Sequence, residues 1–435
     1  MKRILLLPIA ILVTLISVAQ TGNSDINKNK PAVLQPASPE SAGFSSERLK
    51  RIDENINGWM KDGRLNGCVA LIVRNGKIIY HKGFGYDDEE KTKPIRTDNI
   101  YRIASQTKAI TSVAVMMLYE EGKFLLDDPI SKYIPEFTKQ QVLDKFNEVD
   151  SSYTTVPAKT EVTIRQLLTH TSGIAYAQIG GKEANAIFAK TTITAGIGVA
   201  KGKILADDMK KLGKMPLMHQ PGEKFIYGLN TDVLGYLVEI ISGMPLDKFL
   251  RTRIFEPLGM KDTWFYLPAD KQTRLVNLFE EIDGKLVKAK PVTEQNGVFL
   301  IDYPKTAGTY FSGGAGLSST ALDYAIFLQM LLNGGEYNGK RLLSRHSVRM
   351  MTMNQIGDIS RGPNKFGLGF GITTEKGSSI LPTPEGVFEW GGAFATTYWA
   401  DPEEKIIGII YRQLWRTTQS EVPNKFKVLV YQALK

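Results

Sequence analysis

A single cysteine, Cys68, in 435 residues rules out a disulfide within the chain and a cysteine–zinc cluster. The apolar run "GCVALIV" around it predicts a buried structural thiol. Histidine is nearly as scarce. His81, His170, His219 and His346 show no metal-like spacing, and the chain holds neither an H-E-x-x-H pair nor a G-x-S-x-G elbow. A Ser-His-Asp hydrolase and a zinc hydrolase therefore lack their sequence marks. His170, in "LLTHTSGI", reads as a hydrogen-bonded structural histidine. No internal repeat and no long low-complexity segment breaks the chain. Formal net charge is +9, yet the basic residues are scattered in short groups such as "KGK", with no dense run among aromatics. Nucleic acid is accordingly not an expected partner, and the charge supports only a mild attraction to anionic surfaces.

Long hydrophobic runs are also missing, with one exception at the start. "MKRILLLPIAILVTLISVAQTGNSD" has a basic Lys2-Arg3 opening, an apolar run of about 16 residues ending near Ala19, and a polar continuation, the pattern of a secretory signal. The run is short for a bilayer span of about 20 residues, so removal on export, with no stable membrane span left, is expected. Net charge then falls to +7 as Lys2 and Arg3 depart. These features predict a periplasmic or secreted protein, with a signal over 1–20 and a flexible leader over 21–38.

What is present is ordinary globular material, 43% hydrophobic and 9% aromatic, enough to bury a large core. Helical spacing places Leu49, Ile52, Ile56 and Trp59 on one stripe. "CVALIVRNGKIIYHKGFGY" is a hairpin turning at Asn75-Gly76. A long middle region of helical patterns follows, including "NTDVLGYLVEIISG", with Gly243 as its stop. Strands return in "FGLGFGITTE" and "VFEWGGAFATTYWADPEEKIIGIIYRQLW", before a terminal helix "VPNKFKVLVYQALK". The pattern predicts a mixed α/β (α+β) domain over 39–435. Its antiparallel sheet, flanked by N- and C-terminal helices, comes from about 39–112 plus 311–435, with a mostly helical subdomain at about 113–310.

The chemistry-bearing stretch is "YRIASQTKAITSVAVMMLYEEG". Ser105 is the only serine in the chain with lysine at the third following position, and it stands at a strand-to-helix junction. On a helix, i and i+3 share a face, so Ser105 Oγ and Lys108 Nζ can meet. The positive end of the helix dipole favours an alkoxide and disfavours an ammonium. Burial of the lysine stem should lower its pKa further. Serine–lysine pairs are an established alternative to serine–histidine pairs. A helix-capping serine is the competing reading.

The sequence resembles the serine β-lactamase and penicillin-binding-protein superfamily, and within it the β-lactamase-like carboxylesterases. "YRIASQTKAIT", "LLTHTSGI", "PGEKFIYGLNTDVLG", "EPLGMKDT", "GGAGLSSTALDYA" and "FEWGGAF" occur in that family's order, over roughly residues 40 to 435. The resemblance implies the β-lactamase-like fold, Ser105 as nucleophile, Lys108 as its partner and Tyr227 as the phenol that shares base duty and protonates the leaving group. A phenol beside an ammonium could share one proton with it, so a Lys108–Tyr227 pair is expected. The usual tyrosine-x-asparagine spacing is absent. Asn230 stands at the third position after Tyr227, and reads as a helix cap or a substrate contact.

"KTAG" at 305–308 is read as a loop, and "WGGA" at 390–393 as the substrate-side strand. Gly391 and Gly392 would let a backbone approach, and an edge strand can pair with an extended acyl group. The N–H groups of Ser105 and Ala393 would form an oxyanion hole. Trp390 stands where many relatives carry a lysine or histidine that grips a carboxylate, which favours neutral esters or amides over penicillins or peptidoglycan stems; Arg412 could restore the cation. The expected protein is a serine hydrolase working through an acyl-enzyme, without metal or organic cofactor, on a small ester, amide or lactam. β-Lactamase or D,D-peptidase activity and an inactive binding scaffold are the alternatives. The pocket is expected to be built from about 175–215 and 265–310, and oligomeric state stays open.

Overall fold

Alternate residues of the strand Gly67–Arg74 are buried on opposite sides, Cys68, Ala70 and Ile72 in one apolar cluster and Val69, Leu71 and Val73 in another. A strand covered on both faces reads as a continuous hydrophobic run, which is why "CVALIV" shows no polar alternation. The computed structural model describes residues 31–435 apart from 195, 200–201 and 295–296. The expected signal at 1–20 and residues 21–30 of the expected leader lie outside the described residues. Ala32–Lys435 is one unit.

The central sheet has eight strands. These are β1 (Gln35–Pro36), β2 (Gly67–Arg74), β3 (Lys77–Gly85), β4 (Lys365–Phe366), β5 (Gly371–Ile372), β6 (Phe388–Gly392), β7 (Thr396–Asp401) and β8 (Ile406–Tyr411), in the spatial order β1-β3-β2-β8-β7-β6-β5-β4. Every pairing is antiparallel except β1 with β3. The leader expected to reach residue 38 therefore ends earlier, since Gln35 and Pro36 pair with Lys77 and Ile78. The β2–β3 hairpin turns at Asn75 (φ 49°) and Gly76 (φ 78°), the left-handed pair that a two-residue hairpin needs.

Helix α1 (Ser46–Lys61) starts at Ser45, whose Oγ accepts from Arg48 N–H at 3.2 Å, and buries Leu49, Ile52, Ile56 and Trp59 against one sheet face. Burying each such side chain contributes about 1.5–3 kcal/mol. On the other face lies α2 (Thr107–Glu120), buried at every position from Thr107 to Leu118, as befits a helix with no polar side. The short helix α3 (Ile164–Leu168) opens with a capping box of Thr163 and Gln166. Helix α4 (Asn230–Ser242) ends at left-handed Gly243, and α5 (Ala321–Leu332) packs on the α2 side of the sheet. The last helix, α6 (Glu421–Tyr431), lies beside α1 through Val422, Phe426 and Val430.

Residues 113–310 are less helical than expected. They include the hairpin of Gln141–Phe146 with Tyr153–Pro157, and Phe279–Ile282, which pairs with both Lys285–Lys288 and Leu414–Trp415. Cys68 is fully buried. Among the described residues no helix is long and apolar enough to cross a membrane.

Candidate active site

Ser105 lies in a one-turn 3-10 helix, Ala104–Gln106, between the short strand Tyr101–Arg102 and α2. The cap position of α2 is Gln106, and no side chain bonds there, so Ser105 does not serve as a cap. Ala104 has φ 42°, a strained conformation for a residue with a Cβ, immediately before the serine. Strand β6 is pressed against this turn. A Cβ on Gly392 would stand 2.3 Å from the carbonyl oxygen of Ile103, so only glycine allows the approach.

Lys108, 2% exposed, donates to Ser105 Oγ at 3.3 Å, Tyr176 Oη at 3.0 Å and the Gly314 carbonyl at 2.7 Å. Three acceptors for three N–H groups is the full complement of an ammonium. Burial pushes Lys108 down, but Tyr176, Tyr227 and Asp232 outweigh it and hold the group above the ordinary lysine value. This reverses the expectation that burial would lower the Lys108 pKa, because Tyr176, Tyr227 and Asp232, from elsewhere in the chain, bring three oxygen-bearing side chains to its head. Burial pushes the Tyr176 phenol up, while Lys108 opposes that shift.

The expected proton-sharing pair is also re-partnered. Tyr227 offers Lys108 its ring face, with Nζ 4.7 Å from the centroid, while Tyr176 makes the hydrogen bond. The phenol oxygen of Tyr227 accepts instead from Trp390 Nε1–H at 3.1 Å. Tyr227 sits in an aromatic box, with ring centroids 4.6 Å from His170, 5.5 Å from Tyr176 and 5.4 Å from Trp390. Arg361 stacks on the Trp390 ring, 5.0 Å from its centroid.

His170 is 1% exposed, and its Nδ1 lies 2.9 Å from Asn230 Nδ2 and 3.4 Å from Gly228 N–H. Burial, with Lys108 and Arg361 adding to it, holds His170 well below its ordinary pKa, so it is a neutral structural imidazole. Asn230 is neither cap nor substrate contact. The cap position of α4 is Leu229, and the fully buried Asn230 side chain bonds His170, Ser172 and the Ile174 carbonyl, fastening the "HTSGI" turn beneath Tyr227.

Ser105, Tyr227, Trp390, Gly391, Gly392 and Ala393 line one cavity of about 690 Å³, together with Tyr176. Strand β5 pairs only with Phe388 and Glu389 of β6, leaving Trp390–Gly392 open on that side. Ala393 begins the β6–β7 turn, and among the described residues no turn or loop carbonyl takes its N–H or that of Ser105. Two amides beside a nucleophile, on a cavity wall, can stabilise an oxyanion.

The cavity walls differ from expectation. Tyr176, Gln178, Ile179 and Ile197 come from the 175–215 insert. Among the described residues the remaining wall comes not from 265–310 but from β6, β7, Trp415 and α6. The same wall carries an ion pair between Glu389 and Lys427, the latter 5% exposed. Arg412 does not reach the cavity; it is buried and donates to the Ala395 and Gln419 carbonyls. "KTAG" lies outside every strand and begins at the last residue of the 3-10 turn Tyr303–Lys305. Sequence reasoning missed Tyr176, Glu389 and Lys427. Nothing in their local spacing relates them to Ser105, which they approach only through the fold.

Three comparisons bear on this geometry. Esterase EstB of Burkholderia gladioli is 29% identical over 85% of this chain and 92% of its own. Protein Rv1367c of Mycobacterium tuberculosis is 33% identical, over 79% of this chain and 85% of its own. Among solved structures, "EstCE1, a hydrolase with promiscuous acyltransferase activity" superposes with a TM-score of 0.76 at 24% identity, covering 88% of this chain and 99% of that one. The sequence pattern described as Beta-lactamase matches residues 52–432, nearly all of the unit that carries the cavity, and the chain belongs to that family.

Proposed function

We propose that the protein is a serine esterase that cleaves small neutral carboxylic esters through an acyl-enzyme on Ser105. The observation that carries this reading is the ammonium of Lys108, 3.3 Å from Ser105 Oγ and bonded at the same time to a phenol. Such a cation stabilises both an alkoxide and a phenolate in a site withdrawn from water.

In the proposed sequence Ser105 Oγ bonds to the ester carbonyl carbon and its proton passes to the phenolate oxygen of Tyr227. The N–H groups of Ser105 and Ala393 take the charge that develops on the carbonyl oxygen. The ester C–O bond then breaks, and the departing alkoxide takes the proton from Tyr227. Water repeats the cycle on the acyl-enzyme, releasing the carboxylic acid and restoring Ser105. Tyr176 holds Lys108 in place and tunes its charge.

The neutral-ester preference draws on the aromatic wall near Ser105 and on the mutual neutralisation of Glu389 and Lys427. Resemblance to EstB supports the same class. The open edge at Trp390–Gly392 favours a second reading, in which an amide-bearing acyl group pairs with β6, as in a β-lactamase or D,D-peptidase. Export by the N-terminal segment is part of the proposal, and N-terminal sequencing of the secreted or periplasmic protein tests it.

The test is hydrolysis of p-nitrophenyl acetate and butyrate, with nitrocefin alongside. Ester turnover that Ser105→Ala abolishes is expected. Undiminished turnover in Ser105→Ala overturns the proposal, and faster nitrocefin than ester turnover selects the second reading. A folded protein that a fluorophosphonate does not label is an inactive scaffold.

A further inference from the structure

Beneath the nucleophile lies a carboxylate with no place in the sequence of steps above. Asp232 stands in the first turn of α4, five residues after Tyr227, and is fully buried. Its Oδ1 accepts from Ser312 Oγ–H at 2.6 Å and from Gly314 N–H at 3.4 Å. Among the described residues no donor reaches Oδ2. A buried carboxylate oxygen without a hydrogen bond is costly, and it persists where a nearby charge compensates it.

Gly314 joins this carboxylate to the site. Its N–H points to Asp232 while its carbonyl accepts from Lys108 at 2.7 Å. A Cβ on Gly314 would stand 2.3 Å from Asp232 Oδ2 and 3.2 Å from Tyr176 Oη, so the bare oxygen and the phenol face each other across a position that only glycine can fill. The groups that act electrostatically on Lys108 are Tyr176, Tyr227, His170 and Asp232; those that act on Asp232 are Lys108, Tyr176, Tyr310 and Asp208. His170 is neutral, and Asp232 is the one carboxylate among the three side chains, with Tyr176 and Tyr227, that hold Lys108 above its ordinary value. Desolvation pushes Asp232 up, and Lys108 opposes it, so each group depends on the other to stay charged.

We propose that Asp232 is a positioning residue for the Ser105 site: its charge keeps Lys108 an ammonium, and its hold on Gly314 fixes the carbonyl that aims Lys108 at Ser105. This rests on the assignment of Ser105 and Lys108 to the reaction.

Asp232→Asn keeps the shape and one acceptor oxygen while removing the charge. Expected is a fall in kcat of about 10–100-fold with KM changed by less than about threefold. The alkaline limb of kcat/KM should move to lower pH by about 1–2 units, because the loss of an anion lets Lys108 give up its proton sooner. Tm should fall, since Lys108 is then a buried cation without its carboxylate. Ser312→Ala removes a hydrogen bond and keeps the charge, so its alkaline limb should stay in place. An unmoved limb in Asp232→Asn, or an equal shift in both variants, overturns the proposal.

Should Asp232→Asn fold poorly, the Lys108→Met background decides. There Asp232 is left uncompensated, and adding Asp232→Asn should raise Tm; an unchanged or lower Tm overturns the pairing. Ser105→Ala is assayed alongside. If it retains turnover, the catalytic reading fails, while the Tm coupling still tests Asp232 against Lys108.

Discussion

The Tyr176 phenol oxygen lies 3.0 Å from Lys108 Nζ, whereas Tyr227 turns only its ring face to the same ammonium. Two phenols thus serve one cation in different ways. Tyr176→Phe removes one of the three acceptors around Lys108 and leaves the packing nearly intact. It should lower kcat by about tenfold with Tm within a few degrees of wild type. Steady-state kinetics and a thermal melt check both, and unchanged kcat would restrict Tyr176 to packing.

Trp390 donates to the Tyr227 oxygen through its indole N–H. Trp390→Phe keeps an aromatic ring in the box but deletes that donor, which stabilises the phenolate form. Expected is a lower kcat, by about 3–10-fold, with KM little changed. Trp390→His, which can restore an N–H donor, should recover part of the loss.

Gly392 tolerates no side chain because the Ile103 carbonyl would be 2.3 Å away. Gly392→Ala should push β6 from the nucleophile turn, with loss of activity and destabilisation of about 1–3 kcal/mol. Urea unfolding and ester hydrolysis measure the two effects. Gly391→Ala, whose Cβ would meet only the Thr396 carbonyl at 3.2 Å, should cost less stability.

Asp323 offers a stability prediction remote from the chemistry. Burial pushes its pKa up to about 6, against the hydrogen bonds from Asp262 N–H and Thr263 Oγ1–H. Its unfolded value is about 3.9, so between about pH 4 and 6 the folded chain binds more protons than the unfolded chain. Stability contributed by this residue is therefore present at low pH and declines by roughly 3 kcal/mol as pH rises through that window. Asp323→Asn should flatten that decline, which urea unfolding at pH 4 and pH 7 would reveal as a smaller difference than in wild type.

The parts legible in the sequence were those governed by short-range periodicity. The stripe Leu49, Ile52, Ile56 and Trp59 is the buried face of α1, and Asn75-Gly76 is the hairpin turn. Spacing likewise brought Ser105 Oγ to Lys108 Nζ, since three helical positions span a distance that a lysine can bridge. What spacing could not carry was convergence from far along the chain. Tyr176 is 68 positions from Lys108, and Lys427 is 38 from Glu389. Asn230 looked like a cap because it begins a helix, but its side chain is turned inward to His170. The charge of Lys108 was misjudged for a related reason. Burial alone lowers a lysine, and the opposing phenols and carboxylate come from two other stretches, one with Tyr176 and one with Tyr227 and Asp232.

The lone thiol has a practical consequence. Cys68 sits between α1 and the sheet, and burial pushes its pKa up to about 12, so the native protein presents no thiolate to an alkylating reagent. Maleimide uptake should then proceed only through molecules that have opened across the whole sheet. The one native thiol becomes a clock for global opening, readable by mass spectrometry in any variant named above without a further label.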